Sequence, residues 1–219
     1  TILALSGQDP TAIIGGVIPH FQSNGHSGKG KLLVAEADES DGTIVKFEPD
    51  FAVITNLELD HYDHYQNIDS LIQTIKRFCQ NSKAIIANRD CKVLRKNIDA
   101  SAWWSIETKE EVDFAGLPKE IDGEKTIADF YENGLLIGEI NLPMPGLHNL
   151  SNVIGAIAAC RLAGLTFSEI KECISQLAAP KRRFDLRGNW RGRHIIDDYA
   201  HHPTEIKATI SLSQLIIKT

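Results

Sequence analysis

The stretch Phe51-Ala-Val-Ile-Thr-Asn-Leu-Glu-Leu-Asp-His-Tyr-Asp-His-Tyr65 is the part of the sequence that best predicts the fold. It begins with an apolar run typical of a buried β-strand, and at Thr55-Asn56 it changes to carboxylates and imidazoles. In open α/β sheets, ligands bind beyond the carboxyl ends of the strands. We therefore expect a functional site directly after this strand, among Glu58, Asp60, His61, Asp63 and His64.

A second stretch has the same form, because the apolar run Lys31-Leu-Leu-Val-Ala35 is followed directly by the acidic segment Glu36-Ala-Asp-Glu-Ser-Asp41. Two strands that each end in metal-binding side chains predict one site between them, with Glu36 and His61 as the best candidate ligands. Other roles stay open for each residue alone, since Glu36 also suits a helix N-cap and His61 a structural hydrogen bond. A zinc hydrolase is a competing hypothesis, based on Asp60, His61, Asp63 and His64.

The pattern downstream predicts an α/β fold with a mostly parallel sheet flanked by helices. Apolar residues recur at helical spacing over Ile68–Cys79, and Ala84–Ala87 is a further apolar run, which completes a strand–helix–strand unit. Short alternating runs over 103–142 predict a small antiparallel addition to the sheet, with a hairpin turn at Asn133-Gly134. Trp103 and Trp104 are expected in the core or at its edge.

The last third of the sequence predicts two helices, a basic linker and the start of another unit. Asn149 and Ser151 suit the N-cap of a helix that runs to Leu162, and Thr166 and Glu169 form a capping box for the next helix. The linker Lys181-Arg-Arg-Phe184 then precedes a new strand. We therefore divide the chain into a domain over residues 1–180 and the beginning of a second domain over residues 181–219.

Composition excludes several classes of protein. The formal net charge of −6 argues against nonspecific nucleic-acid binding, and no apolar run has the length of a membrane span. The four cysteines lack zinc-ligand spacing and indicate reduced thiols in a cytosolic protein. The sequence lacks an initiator Met and ends within a periodic segment, so we expect a piece of a longer protein. It does not indicate an oligomeric state.

Five motifs occur in an order that is specific to one family. They are Glu36-Ala-Asp-Glu-Ser-Asp41, Thr55-Asn-Leu-Glu-Leu-Asp-His61, Pro145-Gly-Leu-His-Asn149, Arg182-Arg-Phe184 and Asp197-Asp-Tyr-Ala-His-His-Pro-Thr-Glu205. With these motifs the chain resembles the ATP-dependent Mur ligases over nearly its whole length. The resemblance implies the P-loop NTPase-like central domain of that family, followed by the start of a Rossmann-like C-terminal domain.

The implied reaction is the ATP- and Mg²⁺-dependent joining of L-alanine to UDP-N-acetylmuramate through an acyl phosphate, in cytoplasmic peptidoglycan precursor synthesis. Ser40 favours this activity over that of the related murein peptide ligase, which usually has Tyr there. A non-catalytic nucleotide-binding module is a further alternative. The family's glycine-rich loop with its Lys and Thr is not found in these 219 residues, so we expect this piece to be inactive alone.

The resemblance also implies roles for particular residues. Glu36 and His61 would each hold a Mg²⁺, and His61 and Arg183 would act in catalysis, with Arg183 binding the phosphates. Lys76 stands roughly where some relatives carry a carbamylated lysine, and we leave it out of the site. The remaining contacts would be made to the nucleotide by His148, Asn149, Asn152, Asp198 and Tyr199, and more weakly to the amino acid by His201.

Overall fold

The computed structural model describes residues 1–217 and contains one large sheet of six strands. The spatial order follows the chain, and neighbouring strands pair in parallel from β4 to β7 and antiparallel from β7 to β9. This confirms the α/β class and the mostly parallel sheet. The strands are β4 (Phe51–Ile54), β5 (Ala84–Asn88), β6 (Ala102–Ser105), β7 (Phe114–Ile121), β8 (Thr126–Glu132) and β9 (Leu135–Leu142).

A smaller sheet forms from the first third of the chain, in the order β2-β1-β3. Its strands are β1 (Thr11–Ile18), β2 (Ser23–His26) and β3 (Leu33–Ala35), with β3 parallel to β1. The two strands predicted to carry the site, β3 and β4, therefore lie in different sheets and share no ladder of hydrogen bonds. Local apolar runs identify strands, but they do not specify which strands pair.

Helices cover both faces of the large sheet. The chain then continues into a small hairpin and a last helix. Strands β10 (Asp185–Trp190) and β11 (Arg193–Asp197) form an antiparallel hairpin before the last helix. A short 3₁₀ helix spans Thr43–Lys46. The α-helices are α1 (Ile2–Leu5), α2 (Ile68–Gln80), α3 (Lys92–Asn97), α4 (Leu147–Leu162), α5 (Phe167–Ile174) and α6 (Pro203–Ile217).

Two apolar clusters hold these layers together. Helices α4 and α5 bury Ile154 and Ile170 against Trp104 and Phe130 of the large sheet. Helix α2 packs its apolar face, which includes Leu71, against β4 and α3 on the other side. Trp104 is fully buried, as the sequence predicts for a core residue.

Two local predictions need correction, and a third is confirmed. Strand β6, which contains Trp103 and Trp104, pairs in parallel with β5 and belongs to the main sheet, so the antiparallel part begins only at the β7–β8 pair. Helix α4 starts after Gly146, whose conformation caps it, and Asn149 and Ser151 lie inside the helix. The capping box of Thr166 and Glu169 is confirmed.

The described chain has four free cysteines, of which Cys79, Cys160 and Cys173 are buried and Cys91 is partly exposed. Burial raises the pKa of the Cys79 and Cys160 thiols to about 11. Among residues 1–217, every helix is too short or too polar to cross a membrane.

Candidate active site

A cleft of about 1980 Å³ lies between the small sheet, the large sheet and the start of α6. It collects side chains from distant parts of the sequence. His61, Tyr199 and His201 are not among the residues that line it, although Asp60 and His202 are. The predicted site residues that do line it are Glu36, His148, Asn149, Asn152, Arg183 and Asp198.

The loops after β3 and β4 contact each other although the strands do not pair. The hydroxyl of Tyr65 donates a hydrogen bond of 2.6 Å to the carbonyl oxygen of Glu39, and the Tyr65 side chain is buried. The two acidic segments therefore meet through contacts between their loops. Burying Tyr65 is favourable because its hydroxyl keeps a partner.

Glu36 sits where a hard cation could be bound. Its side chain is exposed to the cleft, and one carboxylate oxygen accepts a 2.7 Å hydrogen bond from the backbone N–H of Gly15. A Cβ at position 15 would lie 3.3 Å from that oxygen, so a glycine lets the carboxylate approach the backbone closely. Magnesium sites commonly use one or two carboxylates together with water and substrate phosphates, and Glu36 fits that pattern.

His61 adopts an unusual backbone conformation, with φ of 52°. The carboxylate of Asp60 accepts a 2.8 Å hydrogen bond from the His61 backbone N–H and supports that conformation. The pKa of Asp38 is lowered mainly by hydrogen bonds from Ser40, with a smaller contribution from the nearby His61. The imidazole thus lies beside the acidic segment that follows Glu36.

The zinc hydrolase hypothesis finds no ligand set in the structure. Zinc sites need three or four protein ligands, and within residues 1–217 no three histidine, cysteine or carboxylate side chains come together in that way. Asp63 and His64 are exposed on the loop that carries His61. The described structure therefore gives no support to a zinc site at Asp60, His61, Asp63 and His64.

The start of α4 forms the opposite end of the cleft. The buried hydroxyl of Thr126 bonds to Met144 O and Gly146 N, both at 3.1 Å, and fixes the turn before the helix. Gly146 has φ of 103°, which residues with a Cβ rarely adopt, and its backbone approaches the His148 ring. Asn149 donates a 2.8 Å hydrogen bond to Pro145 O, which holds its amide group at the cleft.

The environment of His148 favours the neutral imidazole. Although part of the ring remains exposed, the surrounding cleft removes water and lowers its pKa; Asp198 raises the pKa and Arg183 lowers it, both more weakly. A neutral imidazole offers one hydrogen-bond donor and one acceptor. Together with the amide groups of Asn149 and Asn152, it can bind the polar edge of a purine.

The basic linker over residues 181–184, the hinge segment, has a strained backbone. Arg182 and Phe184 have φ of 63° and 52°, and Arg183 stands between them. The Asp198 carboxylate accepts hydrogen bonds from Phe184 N at 2.7 Å and Ala200 N at 2.8 Å, so it clamps the hinge. Strained backbone of this kind persists where the surrounding structure fixes it, often at functional sites.

Tyr199 and Glu205 hold the two arginines of the hinge. The Arg182 guanidinium lies 4.9 Å from the centre of the Tyr199 ring, and that of Arg183 lies 5.7 Å away. Arg183 also lies 3.7 Å from the Glu205 carboxylate. These contacts keep a positive charge at the cleft, where it can neutralise phosphate oxygens.

The loop after β4 contacts the start of α6, although no sequence pattern predicts this contact. The Glu58 carboxylate accepts a 2.5 Å hydrogen bond from the Thr204 hydroxyl, and Asp60 lies 3.7 Å from His201. These partners are separated by more than a hundred residues in the sequence. No local spacing signal could have identified them.

Comparison with known proteins identifies the family. The family model "Mur ligase middle domain" matches residues 18–160, more than half of the chain. The chain belongs to the Mur ligase family. The cleft is therefore the candidate active site of a Mur ligase, and the motifs that suggested the resemblance lie in or next to it.

Curated relatives in this family are similar along the whole chain. The UDP-N-acetylmuramate–L-alanine ligase of Prochlorococcus marinus strain MIT 9313 is 59% identical over 99% of this chain, which corresponds to 44% of the relative. The enzyme of the same name from Synechococcus sp. strain CC9605 is 56% identical over 100% of this chain and 47% of its own length. The Mur ligase chain thus spans just under half the length of these relatives.

Solved structures of Mur ligases share the fold. The UDP-N-acetylmuramate–alanine ligase of Thermotoga maritima aligns with a TM-score of 0.86 at 22% identity, covering 100% of this chain and 50% of that one. A murein peptide ligase from Psychrobacter arcticus aligns with a TM-score of 0.74 at 24% identity, covering 97% of this chain and 50% of that one. At these identities the alignments establish the architecture.

Proposed function

We propose that this chain is the ATP-binding part of a UDP-N-acetylmuramate–L-alanine ligase. The observation that supports this most directly is the 59% identity with an enzyme of that name over 99% of the chain. In this proposal residues 1–180 form the central domain, and residues 181–219 form the hinge and the start of the C-terminal ligase domain. The whole enzyme would work in the bacterial cytoplasm, where ATP and nucleotide-linked sugars are available.

The proposed reaction proceeds in two steps. In the first step the carboxylate of UDP-N-acetylmuramate attacks the γ-phosphorus of ATP, which gives an acyl phosphate and releases ADP. In the second step the amine of L-alanine attacks the acyl carbon and displaces phosphate, which forms the amide. Arg183 neutralises charge on the phosphate oxygens as they approach the carboxylate. His148, Asn149 and Asn152 bind the purine edge and thereby orient the phosphates.

The remaining residues lie in the cleft or beside it. Glu36 and His61 would hold Mg²⁺, which supplies positive charge that stabilises the transferring phosphoryl group. Imidazole is an uncommon ligand for this cation, so Glu36 is the stronger candidate. Tyr199 orients the arginines of the hinge, Asp198 holds the backbone that carries them, and His201 faces the amino acid from the start of α6.

This proposal can be tested with a chimera. In it, residues 1–219 replace the matching segment of the Prochlorococcus marinus MIT 9313 enzyme. We expect ADP release that requires ATP, Mg²⁺, UDP-N-acetylmuramate and L-alanine, and that stops when EDTA removes the metal. Glu36→Gln should lower kcat/KM about a hundredfold, because a cation ligand loses its charge. Glu124→Gln, on the exposed β7–β8 turn, is the matched control.

Two outcomes would contradict the proposal. A chimera that folds, as judged by circular dichroism, but releases no ADP while the parent enzyme does would show that this chain lacks ligase function. Preferential use of an alanine-containing tripeptide over L-alanine would identify a murein peptide ligase instead.

A further inference from the structure

The loop after β4 and the first turn of α6 are joined by a hydrogen bond that no motif of the sequence predicts. The Thr204 hydroxyl donates to the Glu58 carboxylate over 2.5 Å, across 146 residues of sequence. His202 Nδ1 lies 3.4 Å from the same carboxylate oxygen. Hydrogen bonds to charged acceptors are among the stronger ones in proteins, and this one links the central domain to the unit after the hinge.

The same turn of α6 also contacts the hinge arginine. Glu205 accepts backbone hydrogen bonds from His201 and His202, at 3.1 Å and 3.4 Å, and its other carboxylate oxygen lies 3.7 Å from Arg183. Thr204 and Glu205 are consecutive, so one rigid helical turn contacts the central domain through one residue and Arg183 through the next. A shift of this turn would therefore change the distance between Glu205 and Arg183.

Glu58, the acceptor of the hydrogen bond from Thr204, lies close in sequence to His61, the proposed metal ligand. Glu58 is three residues before His61, and Asp60, between them, holds the His61 backbone N–H with one oxygen and lies 3.7 Å from His201 with the other. The first turn of α6 is thus attached to the loop that carries His61. Farther along α6, the buried Leu212 packs near Gly146, so the helix has a second point of attachment.

We propose that Glu58 is a positioning residue, which acts through Thr204 to set the location of Arg183 relative to His61. This inference rests on the proposed function for the roles of those two residues, but the contact itself can be tested without it. The position of a catalytic side chain matters because misplacement by about 1 Å can lower the rate about a hundredfold.

The first experiment measures amide hydrogen exchange of residues 204–208 in this chain. Thr204→Val and Glu58→Ala should each accelerate exchange about tenfold, because each removes one partner of the same charge-assisted bond. The double variant should exchange no faster than Glu58→Ala alone, which also removes the contact between Glu58 and His202. Thr209→Val is the matched control, since its hydroxyl bonds only to Glu205 O within α6 among the contacts observed here.

The second experiment measures steady-state kinetics of the chimera described above. Thr204→Val should lower kcat about tenfold with little change in the KM for ATP, whereas a purely structural bond would lower thermal stability and leave kcat of the folded enzyme unchanged. Unchanged exchange in both Thr204→Val and Glu58→Ala would overturn the contact. Faster exchange with unchanged kcat would overturn the positioning role, and absence of turnover in the unsubstituted chimera would instead overturn the proposed function.

Discussion

His148 illustrates how a single residue takes its chemistry from its surroundings. The ring belongs to the first turn of α4, and the cleft around it lowers its pKa below the ordinary value of a histidine. The folded chain therefore binds a proton at His148 less readily than the unfolded chain does. Where the unfolded state binds more protons, stability falls as the pH falls.

Replacing His148 should weaken this pH dependence. As the pH falls from 7.5 to 5.5, the unfolded histidine is protonated first, so the unchanged chain loses stability that His148→Gln does not lose. The measurement is the shift of the urea unfolding midpoint between the two pH values, which should be smaller in the variant. His20→Gln, at an exposed position, is the control for replacing a histidine. Equal shifts in His148→Gln and the unchanged chain would contradict this account.

At the scale of the element, α4 shows which features of a helix can be derived from sequence. Its small residues are visible there, but the sequence does not show that Gly155 lies against the fully buried Trp104. The predicted N-cap was wrong for a related reason. Asn149 uses its amide to bond with Pro145 O, and the turn held by Thr126 starts the helix earlier. By contrast, the capping box of α5 is a purely local pattern and was predicted correctly.

Gly155→Ala should destabilise the chain, although alanine favours helices. The propensity gain is about 1 kcal/mol, but the new Cβ would lie 2.9 Å from the Trp104 ring, and overpacking typically costs about 1–3 kcal/mol. We expect a net loss of about 1 kcal/mol in the free energy of unfolding, measured by urea denaturation. Ala156→Gly, on the exposed side of α4, should lose about 1 kcal/mol through propensity alone. A stabilised Gly155→Ala variant would show that the α4–β6 contact is looser than described.

At the scale of the whole molecule, the sequence predicted the fold class and the parallel and antiparallel parts of the large sheet, but not which strands form the small sheet. The parallel pair of β4 and β5 follows from the strand–helix–strand pattern, whereas the pairing of β3 with β1 and the attachment of α6 to the loop after β4 depend on long-range contacts. Residue types and local periodicity carry no direct information on such pairs. The candidate site residues could therefore be nominated from motifs, while the contacts of Glu58 with Thr204 and of Glu205 with Arg183 became visible only in three dimensions.

The hydrogen bonds that Asp198 accepts should protect the basic linker from proteolysis. Asp198→Ala removes the acceptor of two backbone hydrogen bonds and should open the hinge, so trypsin should cleave after Lys181, Arg182 or Arg183 about tenfold faster. The cleavage sites and rates can be followed by mass spectrometry under native conditions. Glu124→Ala is the control, and equal cleavage rates in the two variants would show that Asp198 does not hold the hinge closed.

The distribution of the four cysteines has a practical consequence. Thiolates are the species that react with maleimide dyes, and the buried thiols of Cys79 and Cys160 have a pKa near 11, while Cys91 is partly exposed at the start of α3. A dye added at neutral pH should therefore attach at Cys91 without removal of any native cysteine. Combined with a second fluorophore placed on α6, it would report the distance between the two units in single molecules while nucleotide binds.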